Sequence, residues 1–166
     1  TEGFVALEKI KITTKEQLDD FYPVLVKIWK EVFTPVIGSN QVEYMLESYQ
    51  SKDLIMQEIS AGVNYYALLI NGVYVGYIAY EVRKDYLYLS KIYIASEYRN
   101  QGFMREIFDF FDELGEKYGL KQRLWVNQGN TQAIRVYQHL GFQLLKEKIT
   151  NIGEGYQMVD YVFEKE

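Results

Sequence analysis

A chain of 166 residues with 48% hydrophobic residues is sized for one domain, 1–166, around one substantial core. A net charge of −5 disfavours nucleic acid as a partner, because such binders normally show a basic stripe, and the absence of cysteine excludes disulfides, most zinc sites and a cysteinyl acyl-enzyme. A reducing, cytoplasmic setting is expected, no metal is expected because a single histidine cannot build a His-rich site, and no apolar run approaches membrane-spanning length.

Phe4 to Ile12 reads as a strand. Thr14 and Gln17 form a capping box ahead of Leu18, Phe21, Leu25, Ile28, Trp29 and Val32, which mark one helical face. Pro23 should kink or restart that helix, and Thr34-Pro35 should break it. Ser39 is placed to cap a second helix carrying Val42, Met45, Leu46 and Tyr49, and Ser51 a short third one ended by Gly62. Strands Asn64–Ile70 and Val73–Arg83 flank Asn71-Gly72, a strong two-residue hairpin signal, and Lys84-Asp85 leads into a strand from Tyr86 to Ala95. A helix then runs from Gln101 to Tyr118-Gly119, with Ile107, Phe108, Phe111 and Leu114 at helical spacing. A short strand, Arg123 to Val126, ends at Asn127 and returns parallel to its predecessor, as a right-handed crossover requires. Thr131 to Leu140 is helical, closed by Gly141 in the left-handed conformation, with His139 in the last turn as a capping residue. Gln143–Thr150 and Gln157–Glu164, joined by Gly153-Glu154-Gly155, complete the chain as a hairpin.

The turn Arg99-Asn100-Gln101-Gly102-Phe103-Met104 carries chemistry. A strand feeding a helix through a Gly-containing turn leaves the first backbone N–H groups of the helix unpaired, with the positive end of the helix dipole behind them. That is an anion site. Gly102 lets the backbone approach a phosphate closely, and Arg105 in the first turn adds charge where a cation is otherwise mildly unfavourable.

Arg99 and Gly102 match the cofactor turn of the GCN5-related N-acetyltransferase (GNAT) superfamily, and Trp125-Val126-Asn127, Asn130-Thr131-Gln132-Ala133 and Tyr137-Gln138-His139-Leu140-Gly141-Phe142 stand at that family's offsets. The chain resembles this superfamily. Met104 departs from its pattern, which carries a small residue beside the pyrophosphate, so its side chain must turn away or the phosphate contact is looser. The resemblance implies an α/β (α+β) fold with a mixed central sheet of about seven strands split around the cofactor and flanked by helices. It further implies acetyl-CoA as co-substrate, held by the turn from Arg99 through Asn100, Gln101, Gly102, Phe103 and Met104 to Arg105, by the backbone of Lys91, Ile92 and Ile94 acting as a strand partner to the pantetheine amides, and by Asn127 and Asn130. Tyr137 would protonate the departing thiolate.

The activity so implied is transfer of an acetyl group to a primary amine by direct attack in a ternary complex, with the Ile92 N–H as oxyanion donor. The strand position that carries a catalytic Glu in some members is Tyr88 here, so the base must be sought elsewhere. A water relay through Ser90 and Tyr88 is one candidate, and the carboxylates Glu81 and Asp160 are others. The stretch Ile152 to Tyr161 is similar to the C-terminal signature of a bacterial, mainly Firmicute, group loosely described as polyamine or diamine acetyltransferases, and Trp29 to Tyr49 to its acceptor region. Asp160 and Glu81 with the aromatic Trp29 and Tyr88 then suggest a pocket that recognises a cationic acceptor, a small amine or polyamine or a Lys or N-terminal amine. A homodimer is one expected assembly. The alternative is a non-catalytic acyl-CoA-binding or regulatory domain of the same fold.

Overall fold

In the computed structural model, which describes residues 6–166, the capping box forms as its sequence spacing demands: the Gln17 N–H donates to the Thr14 hydroxyl at 3.2 Å, and the Gln17 side chain accepts from the Thr14 N–H at 3.1 Å. From there helix α1 runs Lys15–Ile37 without interruption. Pro23 and Pro35 both lie inside it, so neither the restart at Pro23 nor the break at Thr34-Pro35 occurs. Each proline costs an interior helix about 3 kcal/mol. The helix buries Leu18, Phe21, Leu25, Ile28, Trp29 and Phe33, at roughly 1.5–3 kcal/mol apiece, and that outweighs both. Gly38, at φ 84° and ψ 156°, ends α1 and starts α2 (Ser39–Tyr49), which makes Ser39 the first helical residue rather than the cap. Ser51 does cap α3 (Lys52–Ser60), its hydroxyl accepting from the Leu54 N–H.

Seven strands form one sheet in the order β1-β2-β3-β4-β5-β7-β6. The first, β1, is Glu8–Lys11, shorter than the expected Phe4–Ile12, of which Phe4 and Val5 lie outside the described residues. Strands β2 (Asn64–Ile70) and β3 (Val73–Val82) are joined by Asn71-Gly72, whose φ values of 50° and 78° are the mirror-image turn that suits strand twist. β4 is Tyr86–Ile94 and β5 Lys121–Asn127. Between them a 3₁₀ turn at Ser96–Tyr98 precedes α4, which begins at Phe103 rather than Gln101 and ends at Tyr118. α5 spans Thr131–His139, and β6 (Gln143–Gly153) turns through Glu154-Gly155 into β7 (Tyr156–Lys165). Helices cover both faces. Tyr65, Ala67, Tyr77 and Ala79 pack under α1 to α3, while Leu87, Leu89, Ile92 and Ile94 pack on α4 and α5 through Phe108, Phe111 and Tyr137.

Two irregularities in β4 position everything that follows. Ala79 pairs with Lys91 but its neighbour Tyr80 pairs with Leu89, so Ser90 is an extra residue, a bulge whose hydroxyl donates to the Ala79 carbonyl at 3.3 Å. The parallel pairing of β4 with β5 stops at the same place, after Leu89 opposite Leu124. A bulge bends and twists its strand. Beyond Ser90 the strand therefore leaves its parallel neighbour, and the sheet splits.

Candidate functional site

The split opens two cavities. The larger, about 370 Å³, lies between the C-terminal half of α1, the end of β4, the turn before α4 and the start of α5. The smaller, about 180 Å³, lies on the α1 side of the sheet, between β4, β5 and β7. They meet at Ile92, Tyr93, Asn130 and Tyr137, which line both.

In the larger cavity the turn is built as an anion cradle. Asn100 and Gly102 both take left-handed φ, 62° and 83°, and no side chain caps the start of α4, so the N–H groups of its first turn are left without helical partners. A Cβ added at Gly102 would meet nothing within 4 Å, so the space in front of the glycine is open. Arg99, Asn100, Gly102, Phe103 and Met104 line the cavity. Gln101 and Arg105 do not: the Gln101 amide donates back to the Glu97 carbonyl, and Arg105 lies off the lining although it stands in the first turn. Arg99 Nε donates to the Ile94 carbonyl at 3.3 Å, which ties the turn to the strand end. Met104 is half-buried, packed against the core on the α4 side while also lining the cavity.

At the junction, β4 carries Ile92 and Ile94 towards α4 and turns Lys91 and Tyr93 the other way. Past Leu89, β4 has no neighbour on its β5 side. The Ala95 N–H donates to the Val75 carbonyl of β3, so by alternation Tyr93 and Lys91 also turn their backbone groups to β3, and it is Ile92 and Ile94, not Lys91, that face the open edge as candidates for another strand-like partner. Asn127 is buried at the end of β5. Its Oδ1 accepts from the Gly129 N–H at 2.9 Å, while its Nδ2 has only a long contact with the Met158 sulfur. The Asn130 Oδ1 accepts from the Ala133 N–H and so caps α5. Tyr137 is 7% exposed, with its ring edge-on to Phe108 and Phe142, and among the described residues its hydroxyl has no hydrogen-bond partner. Burial raises its pKa, so the phenol is a proton donor at neutral pH.

The smaller cavity gathers Trp29, Tyr88, Ser90, Lys91 and Asp160. Asp160 is the one carboxyl group that lines it among the described residues. Burial pushes its pKa up, and the charges of Lys148 and Lys91 pull it back in part. Tyr88 is pushed up to about 12, again by burial, partly countered by Arg83, so it is no base at neutral pH. Ser90 has its proton committed to Ala79. Glu81 lines neither cavity, because it pairs with Arg83 at 3.1 Å. Trp29 is 4% exposed and its indole N–H donates to the Tyr77 hydroxyl at 2.6 Å, which makes it a wall rather than a polar contact.

Of the two aromatic faces expected to recognise a cation, that of Tyr88 is already taken, with Arg83 4.3 Å from the ring, while Trp29 carries no cation among the described residues. Two further faces nearby are also covered: Lys148 Nζ sits 3.9 Å from the Trp125 ring and Arg123 lies 4.2 Å from Tyr86. Sequence reasoning also missed Tyr93 as a lining residue of both cavities, which alternation with Ile92 and Ile94 would have found, and the side chain of Lys91, whose face the Ser90 bulge reverses. Among the described residues no cluster of three His, Asp or Glu could hold a metal ion, and no helix is long and apolar enough to cross a membrane.

Residues 24–142 match the model of a family described as acetyltransferase (GNAT). An uncharacterised N-acetyltransferase from Lactobacillus delbrueckii subsp. lactis, from the pepI 3′ region, is 26% identical over 94% of this chain and 96% of its own. Among solved structures, PaiA N-acetyltransferase from Thermoplasma acidophilum, in complex with coenzyme A, superposes with a TM-score of 0.79 at 18% identity, covering 97% of this chain and 99% of that one. A GNAT family acetyltransferase from Elizabethkingia anophelis with acetyl-CoA bound gives 0.58 at 16% identity over 74% and 87%. At these identities the superpositions establish the fold.

Proposed function

Taking as premise that this chain belongs to the acetyltransferase (GNAT) family, we propose that it transfers the acetyl group of acetyl-CoA to a primary amine by direct attack, with the whole of 1–166 acting as one N-acetyltransferase domain. The observation that carries the proposal is the junction. A cavity with an anion cradle and a cavity with a half-buried carboxyl group meet at a split strand and at a phenol that has no hydrogen-bond partner among the described residues. The fit to the co-substrate rests on the open space at Gly102, the amides of the α4 first turn and the β4 edge at Ile92 and Ile94. Arg99, Asn100, Gly102, Phe103 and Met104 would hold its phosphate end, with Gln101 and Arg105 beside them off the lining; Asn127 Nδ2 and Asn130 would hold its arm.

Acetyl-CoA, when bound, supplies an activated acyl carbon and a thiolate leaving group. The residues do the rest. Asp160, unpaired and with a raised pKa, takes a proton from the acceptor ammonium, which leaves Tyr88, Ser90 and Glu81 as surroundings rather than base. The Ile92 N–H donates to the oxygen on which negative charge develops. Tyr137 donates to the sulfur. The acceptor is a small amine, of the diamine or polyamine kind implied by the C-terminal resemblance, or a Lys or N-terminal amine. A cytoplasmic setting is proposed from the absence of cysteine.

The test is to incubate the protein with acetyl-CoA, a panel of amines and a thiol reagent. Amine-dependent thiol release is expected. Stabilisation by CoA with no release from any amine would favour the non-catalytic acyl-CoA-binding reading, for which nothing in the site speaks directly.

A further inference from the structure

The smaller cavity holds a cation that the proposed reaction does not use. Lys91 projects from the strand segment just past the Ser90 bulge, on the same face as Tyr88 and Tyr93, beside the short side chain of Ala79 on β3. Among the described residues it makes no ion pair and no side-chain hydrogen bond. Three acidic groups act on it, and two are engaged elsewhere: Glu58 of α3 accepts from the Tyr65 hydroxyl at 2.8 Å, and Glu81 of β3 pairs with Arg83. The third, Asp160 of β7, lines the same cavity and makes no ion pair with Lys91 among the described residues. The other cations on this face are accounted for: Arg123 pairs with Glu164 at 2.6 Å, Arg83 with Glu81, and Lys148 lies on Trp125. Lys91 is left facing the cavity without an ion-pair partner among the described residues, with Asp160 across the same cavity.

An ammonium that is half-buried and makes no ion pair is unfavourable, and a bound anion relieves it. Burial lowers the Lys91 pKa, consistent with that strain. The opposite wall presents Asp160. A cavity of about 180 Å³, the volume of about six waters at ~30 Å³ each, therefore carries one group for a positive end and one for a negative end. The second ammonium of a diamine would meet Lys91 and would find the faces of Trp125 and Tyr88 occupied.

We infer that the acceptor is a small amine that also carries a carboxylate, its ammonium set beside Asp160 and its carboxylate on Lys91. The inference rests on the transfer reading for the fate of the ammonium end, and on Lys91 alone for the carboxylate.

The test compares ω-amino acids with the n-alkylamines and α,ω-diamines of the same chain length. Both tryptophans, Trp29 and Trp125, line the cavity, so intrinsic fluorescence of the CoA-saturated protein reports acceptor binding independently of turnover. For the best chain length, the amino acid should bind about tenfold or more tighter than either partner, the size of one charge-assisted contact, and its KM should be lower in the same ratio. Lys91→Met should erase that ratio, Lys91→Arg should keep most of it, and Lys91→Glu should turn the preference towards the diamine. A wild-type protein that prefers the diamine, or an amino-acid preference that survives in folded Lys91→Met, overturns the assignment. Selective binding of the amino acid without acetyl transfer would instead uphold it and sink the transfer reading.

Discussion

Replacing Tyr137 with Phe removes one oxygen and, by the geometry of the site, little else. The ring stays edge-on to Phe108 and Phe142, with centroids 5.8 and 6.1 Å away, and no protein hydrogen bond is lost, so the stability cost should stay well under about 1 kcal/mol. The catalytic cost follows from two acidities. Burial holds the phenol above the ordinary tyrosine value, while an alkyl thiol sits near pKa ~8.5, so complete proton transfer to the thiolate is uphill by more than about 1.5 units. Tyr137 therefore acts mainly as a donor to the developing charge. A hydrogen bond to a charged group is worth about 1.5–3 kcal/mol, which predicts a fall in kcat of about 10- to 150-fold. CoA binding should change little, because the partner of the hydroxyl arises only as the C–S bond breaks. The assay is thiol release at saturating acceptor, with pre-steady-state mixing to establish that chemistry limits turnover. The loss should shrink with an acyl donor whose leaving thiol is more acidic. An unchanged kcat with chemistry limiting would remove Tyr137 from the mechanism and leave solvent as the proton source.

Gly102→Asp places a side chain at φ 83° and a like charge in the phosphate cradle, so the stabilisation given by CoA, about 2.7 kcal/mol at a hundred times its dissociation constant, should vanish in thermal melts. For Asp160, burial raises the folded-state pKa above the unfolded one, so the native state holds the proton longer and stability falls as pH rises from the ordinary carboxylate value through the raised one. Asp160→Asn should accordingly raise Tm at neutral pH more than near pH ~4, while removing the acidic limb from the pH profile of kcat/KM; a limb that persists in the variant assigns the base elsewhere. Trp29→Phe should cost about 1–3 kcal/mol in denaturant unfolding, because it strips the Tyr77 hydroxyl of its buried donor.

Much of this site was legible in the chain because its signals are local. Thr14 with Gln17, Asn71 with Gly72, and the interval from Arg99 to Gly102 each act through backbone groups a few residues away, and each forms as read. Asn127 and Tyr137 were placed by their offsets, and the fold brings them to adjoining walls. What was misread depends on distant partners. The continuity of α1 across Pro23 and Pro35 is decided by a buried face, not by residues beside the prolines. The face of Tyr88 was taken for an open one because the cation on it, Arg83, reaches it only once β3 has paired with β4. The exposure of Lys91 to the cavity is hidden by one unpaired residue, since strict alternation from Leu87 and Leu89 would turn Lys91 towards α4.

That extra residue gives chain length an unusual meaning in β4. A chain lacking Ser90 would place Leu89 directly before Lys91, and the registers on either side, Tyr80 with Leu89 and Ala79 with Lys91, would join into an unbroken ladder with every side chain still on its present face. Such a sheet would be the more regular one, and it would have lost the local cause of its opening. A closed ladder and a split one would thus differ by a single residue, and the hydrophobic pattern would be the same in both. In this strand, an insertion that costs regularity is what separates a scaffold from a host for a ligand.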